Sequence, residues 1–334
     1  AQRRGIAALI VMPVTTPQIK VRAVRELGGE TVLHGDDYDS AYEHALELAR
    51  SRGMVFVHPF DDPDVIAGQG TIGMEIFRQT GGELHAVFIP VGGGGLVAGI
   101  AAYLKHMQPQ VKIIGVNAAD STAMHDSLKA RERLTLARVG IFADGVAVRR
   151  VGEETFRLAR DLIDEMILVD TDEICAGIQD IFEDTRSIVE PAGALAVAAI
   201  KKYIRRTGSE GRRYVAINCG ANMNFDRLRH VAERAEIGAQ REALQQQWLL
   251  PPGQAFTQDG WNAAKANALR QLTAEHYPLG RIAQSEARVD AAQHRVVLRL
   301  TLDSGPEVRL GTVQISGSER YSQEQALRLA HLGS

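Results

Sequence analysis

The sequence predicts an α/β fold, in which a parallel sheet is flanked by helices, followed by a small α+β domain. Two observations predict the first part. Short apolar runs alternate with helical segments up to about residue 245, and four consecutive glycines follow one of these runs. Such alternation favours parallel strands with right-handed crossovers. The small domain is predicted because residues 295–301 alternate with period two, as in a half-solvated antiparallel strand.

The first sixty residues contain short apolar runs separated by helical segments. Glycines follow the two helical segments, as they commonly do at helix C-termini. We therefore expect strands at 7–11, 31–34 and 54–58 and helices at 20–27 and 39–52. A further helix runs to about residue 80. Its small residues, within 66–71, allow close approach to another element, and tight packing against the sheet is the simplest explanation.

The alternation continues beyond the glycine run. We expect a loop at 134–148 and a helix break at Glu190–Pro191. The helix that starts near residue 171 is expected to be capped by Asp170 or Thr171. The remaining strands are expected just before Gly92 and at 111–116, 166–169 and 214–218. The remaining helices are expected at 153–164 and 194–204, together with one that follows the glycine run and ends near residue 107.

The run Gly92–Gly95 is the strongest local signal. Glycine permits backbone angles that let successive N–H groups converge, and a helix that begins there adds free donors and a positive dipole end. The pattern therefore predicts a phosphate-binding loop. A close turn without a ligand remains an alternative. A dinucleotide site is disfavoured, because the following strand ends in Asn117 rather than an acid, and there is also no Walker lysine after the glycines.

Composition excludes several classes of function. The chain has 334 residues, 45% of them hydrophobic, and a net charge of -3, which argues against a nucleic-acid partner. No apolar run is long enough to span a membrane. The two cysteines, Cys175 and Cys219, fit a reducing compartment, so we expect a cytoplasmic protein. The histidines show no metal-ligand spacing, and we expect no metal site.

Several stretches of the sequence resemble threonine dehydratase (threonine ammonia-lyase), a pyridoxal phosphate enzyme of fold type II. They occur in the same order over residues 5 to about 243. The matching stretches are 8–13, 66–71, 90–96, 144–148 and 220–222, and 229–244 resembles the end of that catalytic domain.

The resemblance implies a cofactor, a reaction and a set of binding residues. Pyridoxal 5'-phosphate would serve β-elimination of water from L-threonine or L-serine, with release of ammonia and, from threonine, 2-oxobutanoate, a step of isoleucine biosynthesis. Cys219 stands where many members carry a serine facing the pyridine nitrogen, and a neutral group there favours elimination. An intact member would be a homo-oligomer. The expected phosphate ligands are the main-chain N–H groups of Gly92, Gly93, Gly94, Gly95 and Leu96.

The sequence departs from this family in one respect that bears on activity. The family's Schiff-base lysine lies in a Ser-Phe-Lys-x-Arg-Gly-Ala segment, which this chain lacks. The family's Ser-x-Gly-Asn-His loop would stand just before Ala1. Lys20 is the only lysine before the glycine run, and we expect it to be a solvated helix residue. We therefore expect no catalytic residue in this chain, an N-terminal truncation, and little or no turnover.

Two further positions near the matched stretches have more than one interpretation. Asp144 lies in a loop that carries cation ligands in some relatives, but a solvated or turn-stabilising aspartate is expected. Glu190–Pro191 and Gly193 lie either near the cofactor or simply at a helix break.

Residues 251–334 resemble a POTRA domain of a TamA-like outer-membrane assembly factor, a periplasmic module. The resemblance rests on 252–257, 261–265 and 302–306, and the expected elements are a helix at 261–275 and strands at 281–290, 294–301 and 309–316. Because the two compartments differ, the simplest hypothesis is a chimaeric reading frame. The predicted domains are 1–58, a remnant of the small domain; 59–244, the large cofactor domain; 245–253, a linker; and 254–334, the POTRA-like domain.

Two alternative functions remain open on the sequence. The chain could be a non-catalytic binding or assembly module that acts through its POTRA-like tail. It could also be a serine racemase or serine dehydratase, because these enzymes share the fold.

Overall fold

A computed structural model describes residues 1–36, 38–209, 211–251, 253–274, 277–290 and 292–305. The chain divides into two units, residues 1–239 and 240–334. The described strands of the first unit are β1 Leu9–Met12, β2 Glu30–Leu33, β3 Ala86–Pro90, β4 Lys112–Ala118, β5 Glu165–Val169 and β6 Tyr214–Ala216. Its helices are α1 Gln18–Glu26, α2 Tyr38–Arg52, α3 Pro63–Thr80, α4 Gly95–Met107, α5 Ala123–Ala130, α6 Glu153–Leu162, α7 Thr171–Thr185 and α8 Pro191–Thr207. Helix α9 Arg227–Gln246 begins in the first unit and continues past residue 239.

A four-stranded parallel sheet with the order β5-β4-β3-β6 forms the core of this unit. Its central strand β3 is buried along its whole length, which explains why its sequence is a continuous apolar run rather than an alternating one. Phe88 on one face packs among residues of α7 and α8, and Val87 and Ile89 on the other pack against α4. The parallel α/β sheet with flanking helices is therefore confirmed.

Helices α3 and α4 pack against each other through glycines. A Cβ on Gly70 would lie 3.3 Å from the carbonyl oxygen of Gly99, and a Cβ on Gly73 would lie 3.0 Å from that of Ile100. The close approach predicted from the small residues of 66–71 is therefore real, but its partner is α4 and not the sheet. This packing holds the N-terminal end of α4, and with it the glycine loop.

Side-chain caps stabilise the starts of α3 and α7. Asp62 accepts hydrogen bonds from the N–H groups of Asp64 and Val65 and is followed by Pro63 in the first turn of α3. Asp170 and Glu173 form a capping box at the start of α7, which confirms the predicted cap.

Four of the sequence-based expectations about elements and their boundaries differ from the structure. Residues 54–58 form no strand, because no neighbouring strand pairs with them, and Val55 and Val57 are 89% and 67% exposed. Pro191 does not break a helix; it opens α8, because the first turn needs no N–H donor from it. Helix α5 was not predicted. The predicted linker 245–253 also begins inside a helix, since α9 continues to Gln246.

The described residues of the second unit form an α+β arrangement. Its elements are α10 Gln258–Thr273, β7 Arg281–Asp290 and β8 Arg295–Asp303, and the two strands pair in antiparallel fashion. The predicted helix and first two strands of this unit are therefore confirmed, whereas the predicted strand 309–316 lies outside the described residues. Among the helices described in either unit, none is long and apolar enough to cross a bilayer.

Replacing Gly99 by alanine should destabilise the first unit by about 1–3 kcal/mol, because its Cβ would lie 2.6 Å from the nitrogen of Gly70 and 2.9 Å from the carbonyl carbon of Gln69. Gly68→Ala is the matched control in the same helix pair. Its Cβ meets open space, so it should stabilise α3 by about 0.5–1 kcal/mol. Urea unfolding of both variants measures the difference, and equal effects would contradict the proposed helix contact.

Candidate cofactor site

The glycine loop connects β3 to α4, at the carboxyl edge of the parallel sheet. Gly94 is the N-cap of α4 and has a φ of 102°, which a residue with a side chain rarely adopts. Gly93, Gly94 and Gly95 are buried, while Gly92 and Leu96 are partly exposed. The five residues predicted as phosphate ligands therefore form one continuous turn at the start of a helix.

Close packing explains why this loop is built of glycines. The ring of Phe60 lies directly against Gly93, and a Cβ on Gly95 would be 3.0 Å from the carbonyl oxygen of Phe60. A Cβ on Gly92 would be 3.1 Å from the Cα of Val146. The alternative of a tightly packed turn is thus partly correct, since packing and the φ of Gly94 disfavour a side chain at all four positions, most strongly at Gly93 and Gly94.

Packing does not explain why the main-chain N–H groups of the loop lack acceptors. Within the part of the chain that the structure describes, the main-chain N–H groups from Gly92 to Leu96 donate no hydrogen bond. Successive free N–H groups at a helix start form a concave site for an anion. These residues fit a phosphate group.

Cys219 lies at the same edge of the sheet. Strands β3 and β6 are paired parallel neighbours, and the pairing extends to the N–H group of Ile217, which donates to the carbonyl oxygen of Phe88 at 3.1 Å. Cys219 therefore follows β6 as Gly92 follows β3. The structure brings the two predicted parts of the site to neighbouring strand ends.

The environment of the Cys219 thiol keeps it neutral. The residue as a whole is exposed, but its Sγ atom lies 3.9 Å from the carbonyl oxygen of Ala192. Desolvation of the thiol and the nearby Glu190 carboxylate raise the pKa of Cys219 to about 11. At neutral pH this position therefore presents an uncharged group.

Glu190 links the start of α8 to the segment that follows Cys219. The residue is buried, its Oε2 atom accepts a hydrogen bond from the N–H group of Asn222 at 3.0 Å, and its own N–H group donates to Gly220 at 3.0 Å. The N–H group of Gly193 in turn donates to the carbonyl oxygen of Glu190 at 2.9 Å. Glu190 and Gly193 are therefore packed against the Cys219 segment as well as forming a helix start.

Lys20 and Asp144 form an ion pair, in which the Nζ and Oδ2 atoms are 2.6 Å apart. Both side chains are mostly buried, with 26% and 30% exposure. The prediction that Lys20 is a solvated helix residue was therefore wrong, and Asp144 is neither solvated nor a simple turn residue. The reason is tertiary: α1 packs near the loop 144–146, and no sequence spacing relates them.

Sequence reasoning missed three residues that support the loop. Asn117 is buried, its Nδ2 atom donates to the carbonyl oxygen of Val91 at 2.7 Å, and its Oδ1 atom accepts from the N–H group of His125. Thr155 donates a hydrogen bond to the carbonyl oxygen of Gly93, and Asp61 accepts hydrogen bonds from the first N–H groups of α6, the helix that carries Thr155. Asn117 could have been recognised from the sequence as a polar residue at the end of a buried strand, but no sequence feature pointed to Asp61 or Thr155.

His58 fixes the segment that covers the loop. Its Nδ1 atom accepts hydrogen bonds from the N–H groups of Phe60 at 3.2 Å and Asp61 at 2.8 Å, so this nitrogen carries no proton. Burial lowers the pKa of His58, against the opposing effect of the Asp61 and Asp62 carboxylates. The neutral imidazole therefore stabilises the turn that presses Phe60 onto the glycines.

The family model described as "Pyridoxal-phosphate dependent enzyme" matches residues 1–220. The chain belongs to this family. The fold type and the cofactor expected from the sequence are therefore confirmed.

The similar proteins include several enzymes that act on threonine or serine. The chain is 59% identical over 247 residues to the biosynthetic L-threonine dehydratase of Burkholderia multivorans, covering 73% of this chain and 49% of that protein. Among solved structures, the processed form of threonine deaminase isoform 2 from Solanum lycopersicum is 50% identical with a TM-score of 0.68, covering 71% of this chain and 65% of that one. Maize serine racemase is 28% identical with a TM-score of 0.64, covering 70% and 72%. The chain thus spans about half the length of the curated relative.

Alkylation of Cys219 should follow its raised pKa. Since the thiolate is the reactive form, the rate with iodoacetamide should rise about tenfold per pH unit from pH 7.5 to 9.5 without levelling, whereas an ordinary cysteine levels near pH 8.5. Mass spectrometry of the Cys219 peptide measures the rate and separates it from buried Cys175. A plateau near pH 8.5 would contradict the inferred environment.

His58 should make the stability of the first unit depend on pH. Because its folded pKa lies below the unfolded value near 6.5, the unfolded chain binds more protons between the two. The contribution is fully present above pH 6.5 and is lost as the pH falls through the folded pKa. Urea unfolding from pH 5 to 7.5 should show a steeper decline for the wild type than for His58→Gln. His85, whose pKa is also lowered, is present in both proteins, so its effect cancels in the comparison.

Proposed function

We propose that this chain carries the cofactor-binding part of a threonine dehydratase and holds pyridoxal 5'-phosphate without covalent attachment. The observation that carries the proposal is the set of free N–H groups from Gly92 to Leu96, at the same sheet edge as Cys219. The 59% identity to a threonine dehydratase, against 28% to a serine racemase, favours threonine over the serine alternatives.

Each part of the loop has a defined role in this proposal. The N–H groups from Gly92 to Leu96 bind the phosphate, and the dipole of α4 adds favourable charge. Cys219, neutral because of its high pKa, would be the group on the side of the pyridine nitrogen and would leave that nitrogen largely unprotonated. The bound cofactor supplies an electron sink for the negative charge that develops when an amino-acid substrate loses its α-proton. Glu190 holds the Cys219 segment in place through Gly220 and Asn222.

The proposal separates binding from turnover. The sequence lacks the family's Schiff-base lysine segment, and Lys20 is occupied by its ion pair with Asp144. No side chain of this chain is therefore assigned the proton transfer at the substrate α-carbon. We propose that these residues by themselves bind the cofactor and produce no 2-oxobutanoate. The role in isoleucine biosynthesis, the cytoplasmic location and a homo-oligomeric state belong to the same proposal.

The POTRA-like assignment of residues 254–334 is a separate proposal. Its support is the antiparallel pair β7–β8 and the preceding helix α10, which agree with the α+β pattern expected of that module. The assembly-module function is not favoured as the role of the whole chain, because the family match lies in residues 1–220.

Titration with pyridoxal 5'-phosphate, followed by its absorbance and by equilibrium dialysis, tests the proposal. The wild type should bind one equivalent and release no 2-oxobutanoate from L-threonine. Gly94→Ala should weaken binding about tenfold or more, because alanine is strained at a φ of 102° and its Cβ would meet Met124 and Thr155.

Gly68→Ala, which has open space around its Cβ, is the control and should bind as the wild type does. Circular dichroism shows whether each variant is folded. Failure of the folded wild type to bind would contradict the cofactor proposal, and steady production of 2-oxobutanoate would contradict the absence of turnover.

A further inference from the structure

The carbonyl oxygen of Gly93 is held by the first turn of α6. It accepts a hydrogen bond from the Oγ1 atom of Thr155 at 2.7 Å and a second from the N–H group of Gly152 at 3.2 Å. Thr155 is completely buried, so water does not compete for this bond. The peptide group between Gly93 and Gly94 is therefore fixed from one side.

Fixing the carbonyl group of Gly93 also fixes the direction of the Gly94 N–H group. The chain has no cis peptide among its described residues, and in a trans peptide the C=O of one residue and the N–H of the next point in opposite directions. Because the oxygen of Gly93 points toward α6, the N–H group of Gly94 points away from it. A loop of consecutive glycines has little steric resistance to rotation of a peptide group, so this direction needs an external restraint.

The turn that carries Thr155 is itself held in place by Asp61. The carboxylate of Asp61 accepts hydrogen bonds from the first three N–H groups of α6, at 2.7 Å from Glu153, 2.9 Å from Glu154 and 3.1 Å from Thr155. Asp61 thus occupies the anion-binding end of α6 and fixes the turn that carries Thr155. The adjacent Phe60 packs on Gly93, so a single segment holds the loop and its restraint together.

We propose that Thr155 is a positioning residue for the phosphate-binding loop: its hydroxyl group, held by the Asp61-capped turn, orients the Gly93–Gly94 peptide so that the Gly94 N–H group serves the anion. This inference rests on the proposed cofactor function. It predicts that loss of the hydroxyl weakens binding of the phosphate group specifically and leaves the affinity for the ring unchanged.

The test uses a pair of probes that differ only in the phosphate. These are 4'-deoxypyridoxine 5'-phosphate and 4'-deoxypyridoxine, both of which lack the aldehyde and so cannot react with surface lysines. Their affinities for the full chain are measured by isothermal titration calorimetry. Thr155→Val, which keeps the shape and removes the hydroxyl, should weaken binding of the phosphorylated probe about tenfold, the loss expected for one hydrogen bond of this kind.

Two further variants separate positioning from general stability. Thr155→Ser restores the hydroxyl and should restore the affinity to within about twofold of the wild type. Thr80→Val removes a similar bond, from Oγ1 to the carbonyl oxygen of Ile76 at 2.8 Å, but at the far end of α3. It should leave the affinity for both probes unchanged. Thermal unfolding of all four proteins measures any stability loss.

The outcomes distinguish this inference from the proposed function. A folded Thr155→Val that binds the phosphorylated probe as tightly as the wild type overturns the positioning role and leaves the cofactor site intact. An equal loss of affinity for both probes, or no recovery in Thr155→Ser, also overturns it. A wild type that binds neither probe overturns both the inference and the proposed function.

Discussion

The constraint on which the site depends is the hydrogen bonding of the peptide groups around the glycine loop. The carbonyl oxygens of this segment are used inside the protein: that of Val91 accepts from Asn117, that of Gly93 from Thr155, and that of Gly94 from the N–H group of Ala98. The N–H groups from Gly92 to Leu96 have no acceptor among the described residues. Since buried donors are nearly always paired, this asymmetry at the buried Gly93, Gly94 and Gly95 supports the proposed anion site.

Close packing makes this asymmetry possible. Several parts of the chain contact the loop, among them Phe60 from the segment before α3, Val146 from the loop before α6, and Thr155 from the first turn of α6. Each contact leaves no space for a Cβ, so the backbone approaches its neighbours more closely than side chains would permit. The loop is therefore supported from several directions, and its donors are arranged in advance of any ligand.

The first 58 residues are attached to this scaffold more weakly. Strands β1 and β2 pair only with each other among the described residues, and the apolar residues Val55 and Val57 are exposed beside them. Contact with the remainder of the unit includes the ion pair of Lys20 with Asp144 and ring contacts of Tyr38 and His58 with Phe60. A partly exposed ion pair contributes little to stability, so this region is expected to open before the main sheet does.

The sequence by itself determined the features that depend on local chemistry. It indicated the parallel sheet through continuous apolar runs such as that of β3, the cap of α7 through Asp170, and the anion loop through four glycines. It did not show that residues 54–58 lack a partner strand and form no strand, and it did not reveal the ion pair of Lys20. Only the tertiary structure decided these points, together with the support of Gly93 by Thr155 and of α6 by Asp61. The physical reason is that a hydrogen bond or strand pair between distant segments depends on which segments the fold brings together. Local residue types and spacings do not specify those contacts.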